Sequence, residues 1–320
     1  MKLLHEKSKC CGAKIIRFGG KRRRCVACGT TWRVHPARRG RKAVRRQRGY
    51  LNKVFSHNFS VKQLAVHSSL SAGAIYKRFT KNLNAAIRQE RIVRIRGSKL
   101  ILIIDAEWQY FKGELWTMYF LSAKSTNSQT VTIFDPAIRR GRENSTTWNE
   151  IINQLPPDIK KRVIALVSDG IRGIETISST NGWITQRCHF HILSMLQGMR
   201  GKRALTPGRL IRDKIYCSVK LALTTRSKRK LNALCRRLAI LAKDAGCPTR
   251  MRFTVRGFLK QLAGFRSYLE YPEFNLPTTI NVMESINSFA REKTKTLNSP
   301  KSWHRWAIAC IRFKSKFTCK

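Results

Sequence analysis

Acidic residues are scarce in this chain, with 17 Asp and Glu against 65 Lys and Arg in 320 residues, so their positions carry information. Asp105 ends the apolar run Leu100-Ile-Leu-Ile-Ile104, and Asp169 follows the run Val163-Ile-Ala-Leu-Val167. A carboxylate at the end of a buried strand is desolvated and costly. Two of them on adjacent strands repel unless a cation lies between. Magnesium or manganese, bound by hard oxygen ligands, meets that need. A third carboxylate would complete a two-metal centre able to activate a water or a 3′-hydroxyl and to stabilise the leaving oxygen in phosphoryl transfer. Glu284 is the best third ligand, because it opens a helix that can pack beside the sheet. Each acid also has a plainer role open to it. Asp169 precedes Gly170, as in a turn. Asn281 stands three residues before Glu284, the offset of a capping box. Glu107 and Asp135 are rival acids, although Asp135 precedes Pro136 and reads as a turn after a strand.

A second group of residues suits a metal. Cys25-Val-Ala-Cys28-Gly29 is a knuckle whose thiolates can point at one zinc ion. Cys10-Cys11-Gly12 forms an irregular partner knuckle, because Ser8 stands where the mate of Cys11 would be. The fourth zinc ligand is left to Cys10, His5 or His35. A zinc ribbon over residues 1–36 is expected, since so short and basic a segment lacks a core of its own. The other cysteines, Cys217, Cys235, Cys247, Cys310 and Cys319, sit in apolar or helical contexts and read as reduced thiols of a cytosolic protein.

These groups need elements to position them. Residues 98–320 open with three strand-like runs, Lys99–Ile104, Leu115–Ser122 and Gln129–Phe134. A basic loop follows at Arg139–Asn144, then a helix over Trp148–Leu155 and a fourth strand over Arg162–Val167. That order outlines an α/β domain of RNase H type, a mixed sheet flanked by helices, with carboxylates where such sheets carry their sites. Residues 195–270 have helical spacing throughout and read as an all-α insertion. Thr278–Arg291 begins a helix with Met283, Ile286 and Phe289/Ala290 as its apolar stripe and Glu284 off it. Ser302–Phe317 is a last amphipathic helix.

Residues 49–97 precede the α/β domain. Ser60 is a good N-cap for a helix carrying Val61, Leu64 and Ala65. Leu64, Ala65, Leu70, Ile75 and Phe79 are spaced as the core of a helix-turn-helix, with Ser71 capping its second helix. Ala72, Gly73, Tyr76, Lys77 and Arg78 would then face a DNA major groove. Residues 37–48 form a basic linker whose Arg38, Arg39, Arg41 and Lys42 suit phosphates or a minor groove.

The formal net charge is +48. A chain this basic repels itself unless a polyanion neutralises it, which points to nucleic acid. The apolar runs are too short to span a bilayer, and Met1–Lys14 lacks the apolar stretch of a secretory signal. A membrane role is therefore not expected, and a cytoplasmic, nucleoid-associated location is.

Three blocks together resemble the DDE transposases of the Mutator-like class and their bacterial insertion-sequence relatives. They are strand-ending Asp105; Ser168-Asp169-Gly170 followed by Cys188-His-Phe-His191; and Thr278-Thr-Ile-Asn-Val-Met-Glu284-Ser-Ile-Asn287. The resemblance covers roughly Lys99 to Phe317, and Ile280 before Asn281 is a departure from the class pattern. It implies that Asp105, Asp169 and Glu284 are catalytic, with His191 contacting the scissile phosphate and Cys188 in an auxiliary place. It also implies nicking of double-stranded DNA at element ends and joining of the 3′-hydroxyl to target DNA, by a prokaryotic enzyme working as a dimer or larger. Arg291, Lys293 and Lys295 would clamp the DNA backbone. The rival readings are a non-catalytic DNA-binding regulator or domesticated transposase that uses only the front end, and an RNase H-like nuclease without strand transfer.

Overall fold

The computed structural model describes residues 3–8, 10–19, 22–33, 49–57, 59–68, 70–89, 91, 93–201, 207–313 and 317–318. The predicted linker with Arg38, Arg39, Arg41 and Lys42 lies outside them, as do His35 and the side chain of His5. The chain divides into two compact units, Met1–Asn82 and Leu83–Lys320. No helix among the described residues is long and apolar enough to cross a membrane.

The first unit begins with four short antiparallel strands in sequence order: β1 (Leu3–Lys7), β2 (Lys14–Arg17), β3 (Arg22–Cys25) and β4 (Thr31–Arg33). Ile15 and Cys25 are opposed across β2 and β3, and both are buried. Much of the rest of this segment is Arg, Lys and Gly. So little apolar surface does not hold a four-stranded sheet together by burial alone.

Three helices follow: α1 (residues 49–55), α2 (Val61–Val66) and α3 (Ala72–Arg88). Leu51, Val54, Phe55, Leu64, Ile75 and Phe79 are buried, and the rings of Phe55 and Phe79 stack at 6.1 Å. Ser60 caps α2 in a reciprocal box with Gln63. The Ser71 hydroxyl accepts the Ala74 N–H at 3.3 Å at the start of α3. Ala72, Gly73, Tyr76, Lys77 and Arg78 are exposed.

The second unit is built on a seven-stranded sheet ordered β10-β9-β5-β6-β7-β11, with β8 also pairing β6. Strands β5 (Leu100–Phe111) and β6 (Glu114–Ser125) form a hairpin of twelve residues a side. Lys112 and Gly113 close it, at φ of 50° and 82°. Positive φ at both turn residues matches the twist of such a hairpin. Antiparallel β7 (Thr130–Ile133) and β8 (Ala137–Arg140) pair with successive stretches of β6. Then β9 (Val163–Ser168) joins β5 in parallel, and β10 (Ile184–Arg187) joins β9 in parallel. A short β11 (Phe317–Thr318) pairs β7.

Period-two alternation divides β5 between two cores. Leu100, Leu102 and Ile104 pack with Trp148, Ile151 and Ile152 of α4 (Ser145–Asn153), beside α5 (Pro157–Lys160) and α6 (Ile174–Thr180). Ile101 and Ile103 pack with α12 (Asn281–Thr294) and α13 (Pro300–Phe313) on the other face. Asp105 inherits the α12 side by the same alternation. Between β10 and α12 lie helices α7 (His189–Met199), α8 (Arg209–Thr224), α9 (Lys228–Leu241), α10 (Thr249–Lys260) and α11 (Leu262–Glu270), with a core of their own.

The α/β mixed sheet flanked by helices and the helical insertion are present as expected. Three local expectations change. Asp105 does not end its strand, since β5 runs on to Phe111. Residues 139–140 belong to β8 and not to a loop, because the exposed end of β6 offers them a ladder. The stretch before Cys188 is the parallel strand β10, too short to stand out in the sequence.

Candidate active site

Asp105, in the middle of β5, is 7% exposed. One of its oxygens accepts the Ala106 N–H at 3.0 Å and the other accepts Asn287 Nδ2 at 2.5 Å. Burial, and then the charge of Asp169, push its carboxyl up to about 8. Asp169 follows β9, one strand over. Glu284 is in the first turn of α12, and its carboxyl is raised by burial against the opposing pull of His191. The capping-box role for Glu284 does not apply: Asn281 is already helical, and the capping residue Ile280 makes no side-chain cap.

His191, in the first turn of α7, joins the acids. The ligand atoms of Asp105, Asp169 and His191 lie within 4.8 Å of one another, and so do those of Cys188, His191 and Glu284. His191 Nδ1 is 3.8 Å from Glu284 Oε1. Backbone bonds set this meeting: the His189 N–H donates to the Thr278 carbonyl at 2.7 Å, tying α7 to the approach of α12. Cys188 lies at the N-terminus of α7 with its thiol fully buried, and burial pushes it up to about 11. Burial thus disfavours its thiolate.

The donor set fits a divalent metal. Glu284 Oε1 and His191 Nδ1 are buried and make no hydrogen bond. An unbonded buried carboxylate oxygen is costly, and a cation would relieve it. The mutual repulsion that raises Asp105 has the same remedy. Asp105 and Asp169 with His191 form one group that could hold it, and Glu284 with His191 and Cys188 forms a second.

Three residues given no role from the sequence, and one rival acid, shape this site. Asn287, buried one turn past Glu284, orients Asp105. Glu143 donates its field to the site: its carboxyl is pushed up to about 7 by burial, with the charge of Asp169 acting in the same direction. It accepts Trp148 Nε1 at 2.6 Å. Arg187, at the end of β10, sends Nη2 to the carbonyls of Asp169 and Gly170 at 3.4 and 3.1 Å and Nη1 to Glu175 at 2.9 Å. Glu107, noted only as a rival acid, instead accepts Arg291 Nε at 2.7 Å. Arg291 thus stands over the site edge. Lys293 lies over the Phe289 ring, and Lys295 is exposed.

Gly170 cannot be replaced without displacing this support. It has φ of 102°, and a Cβ there would lie 1.6 Å from Arg187 Nη2. Gly170→Ala should lower thermal stability by about 1–3 kcal/mol. It should also shift Asp169, so the rise in melting temperature on adding magnesium should be smaller than in wild type. A variant with the wild-type melting temperature, with and without magnesium, would disprove this role for the Arg187 clasp.

In the first unit, the sulfurs of Cys10, Cys11, Cys25 and Cys28 lie within 4.8 Å of one another, so Cys10 is the fourth member. The two knuckles share one turn: Gly12 N–H donates to Ser8 O at 3.0 Å and Gly29 N–H to Cys25 O at 3.1 Å. Ser8 thus occupies the place of Cys25, and Cys10 supplies the sulfur that Ser8 lacks. The Cys28 backbone N–H, and then Ser8, pull the Cys25 thiol down to about 6. That favours the thiolate a metal needs.

Neither a protein-family model nor a curated protein sequence matches this chain. Among solved structures it is similar to one described as the Drosophila P element transposase strand transfer complex. The TM-score is 0.42 and the identity 10%, over 85% of this chain and 99% of the other.

Proposed function

We propose that this protein is a DNA transposase of the DDE kind. One observation supports the reading: Asp105 and Asp169, from β5 and the end of β9, gather with His191, and Glu284 of α12 gathers with the same histidine and Cys188, with a buried Glu284 oxygen left without a hydrogen bond. Asp105, Asp169 and Glu284 would hold magnesium or manganese. When bound, the ions would activate the attacking water or 3′-hydroxyl and neutralise charge on the phosphate. The chain's own groups do the rest. Asn287 fixes the rotamer of Asp105, Arg187 holds the Asp169 turn, and His191 would meet an oxygen of the scissile phosphate. Arg291, Lys293 and Lys295 line the approach of the DNA backbone.

In the first unit, Cys10, Cys11, Cys25 and Cys28 would hold zinc, α3 would present Ala72, Tyr76, Lys77 and Arg78 to a major groove, and the arm with Arg38, Arg39, Arg41 and Lys42 would follow phosphates. Pairing two DNA ends implies at least a dimer, working on chromosomal DNA in the cytoplasm of a prokaryotic host. Removal of the zinc should release about one ion per chain. It should also weaken DNA binding, read by metal analysis and electrophoretic mobility shift before and after chelation. Equal binding by a chain that never carried zinc would remove the ribbon from the proposal.

The test of the activity uses labelled DNA from both flanks of the coding region, where inverted repeats would mark element ends, incubated with the full chain and magnesium or manganese. Nicking at the repeat ends followed by joining of the 3′-hydroxyl to a second DNA supports the transposase. Nicking without joining makes it a nuclease of the same fold. Tight binding with no cleavage makes it a regulator.

A further inference from the structure

His191 belongs to two groups of ligand atoms. One is completed by Asp105 and Asp169, both oxygen donors. The other is completed by Cys188 and Glu284, so it offers a sulfur, a ring nitrogen and a carboxylate oxygen. The two sets suit different ions. Magnesium takes oxygen ligands and leaves thiols alone. Zinc is borderline-soft and accepts this mixture of donors. It also holds nitrogen and sulfur ligands more tightly than manganese does.

The second group is built from two helix starts. Cys188 is the N-cap of α7 and His191 lies three residues on, the spacing that puts two side chains on one face. The Cys188 N–H donates to the Ser168 carbonyl at 2.8 Å, which fixes that turn against the end of β9. Glu284 meets the pair from the first turn of α12. His191 Nδ1 and Glu284 Oε1 are 3.8 Å apart, and both atoms are buried without a hydrogen-bond partner. A hydrogen bond would bring them within roughly 3.2 Å. Nitrogen and oxygen ligands on one tetrahedral zinc lie about 3.4 Å apart. The separation is closer to that of two ligands than to that of a bonded pair. Both side chains keep part of their surface in solvent, 32% and 25%, so an ion can reach them. The ion supplies the counter-charge that a buried Cys188 thiolate lacks.

We propose that Cys188, His191 and Glu284 form a zinc site, and that zinc bound there switches off the magnesium-dependent reaction at Asp105 and Asp169. The switch rests on the acid site being a DNA-processing centre; the zinc site does not. The device is competition for ligands. Zinc in this position takes His191 from the aspartate group and Glu284 from magnesium. It also sets a further positive charge beside the magnesium ions.

The test equilibrates the full chain with excess zinc and then removes unbound metal on a desalting column. Wild type should retain about one more zinc ion per chain than Cys188→Ser or Cys188→Ala, whatever the four-cysteine cluster holds. Ser keeps the volume of this core residue and Ala its apolar character, and melting temperatures show whether either has unfolded. His191→Gln, a change at a part-exposed side chain, should lose the same ion and covers the case in which both Cys188 variants fail to fold. The extra zinc should blunt the rise in melting temperature that magnesium gives the wild type, and should not do so in the Cys188 variants. In cleavage, each protein is read against itself with and without zinc. Wild type should lose about tenfold or more of its magnesium-dependent rate, and the Cys188 variants about twofold or less. Zinc retained equally by wild type and all the variants overturns the site. Equal inhibition of wild type and the Cys188 variants overturns the switch, since zinc would then act at the aspartates. A chain that holds this zinc and loses its magnesium stabilisation, yet never cuts DNA, would remove the transposase reading and leave the zinc site standing. A chain that cuts and joins DNA but retains no extra zinc would do the reverse.

Discussion

Asp105→Asn, Asp169→Asn and Glu284→Gln should each lower cleavage of element-end DNA by roughly a thousandfold or more, with DNA binding retained. The argument is electrostatic. Each substitution keeps the size of the side chain and removes one negative charge from a group whose ligand atoms converge within 4.8 Å of His191. Loss of one anionic ligand removes several kcal/mol of charge stabilisation at the phosphate, and each 1.36 kcal/mol is about tenfold in rate. Binding is a separate matter, since it draws on a chain of net charge +48. Removing one carboxylate adds to that attraction. Labelled-strand cleavage beside a mobility-shift assay separates the two effects. Variants that bind and cut like wild type would show that the convergence of these acids serves structure alone.

How far the sequence foretold this site depends on how local each signal was. Asp105 and Asp169 stood out because each follows an unbroken apolar run, and such runs are buried strands. Glu284 stood out because Met283 and Ile286 mark its helix. The continuation of β5 was also written in the sequence. Asp105, Glu107 and Gln109 alternate with Ala106, Trp108 and Tyr110, a period of two that large aromatics and charges disguise. Glu143 was absorbed into a segment read as a basic loop, because Arg139, Arg140 and Arg142 dominate its composition. Asn287 closed the block that carries the family resemblance but pointed to no partner, and Arg187 carried no signal of its own. The bond from Asn287 to Asp105 spans 182 residues of sequence. The grip of Arg187 on Gly170 exists only because a parallel strand, β10, returns beside β9. Parallel pairing of strands so short depends on the tertiary fold and leaves little local pattern.

Asp105→Asn should also stabilise the protein in magnesium-free buffer, and the gain should grow with pH. The ordinary pKa of an unfolded Asp is near 3.9. In the folded protein burial and Asp169 hold Asp105 near 8. Between these values the folded state binds more protons than the unfolded one. Stability contributed by the protonated form is therefore fully present below about pH 4 and is lost as pH rises towards 8. Asparagine does not titrate, and its amide oxygen can still accept from Asn287. The difference in melting temperature between variant and wild type should be small near pH 4–5 and widest near pH 8. At its widest it should reach a few kcal/mol, or several degrees for a unit of this size. Glu143 titrates in both proteins and largely cancels from the difference. Magnesium should raise the melting temperature of the wild type most at pH 8, where its ligand is ionised, and that of the variant far less. A variant less stable than wild type at every pH would mean that the Asn287 bond to the carboxylate outweighs the cost of burying it. The repulsion among the acids would then be too weak to call for a metal.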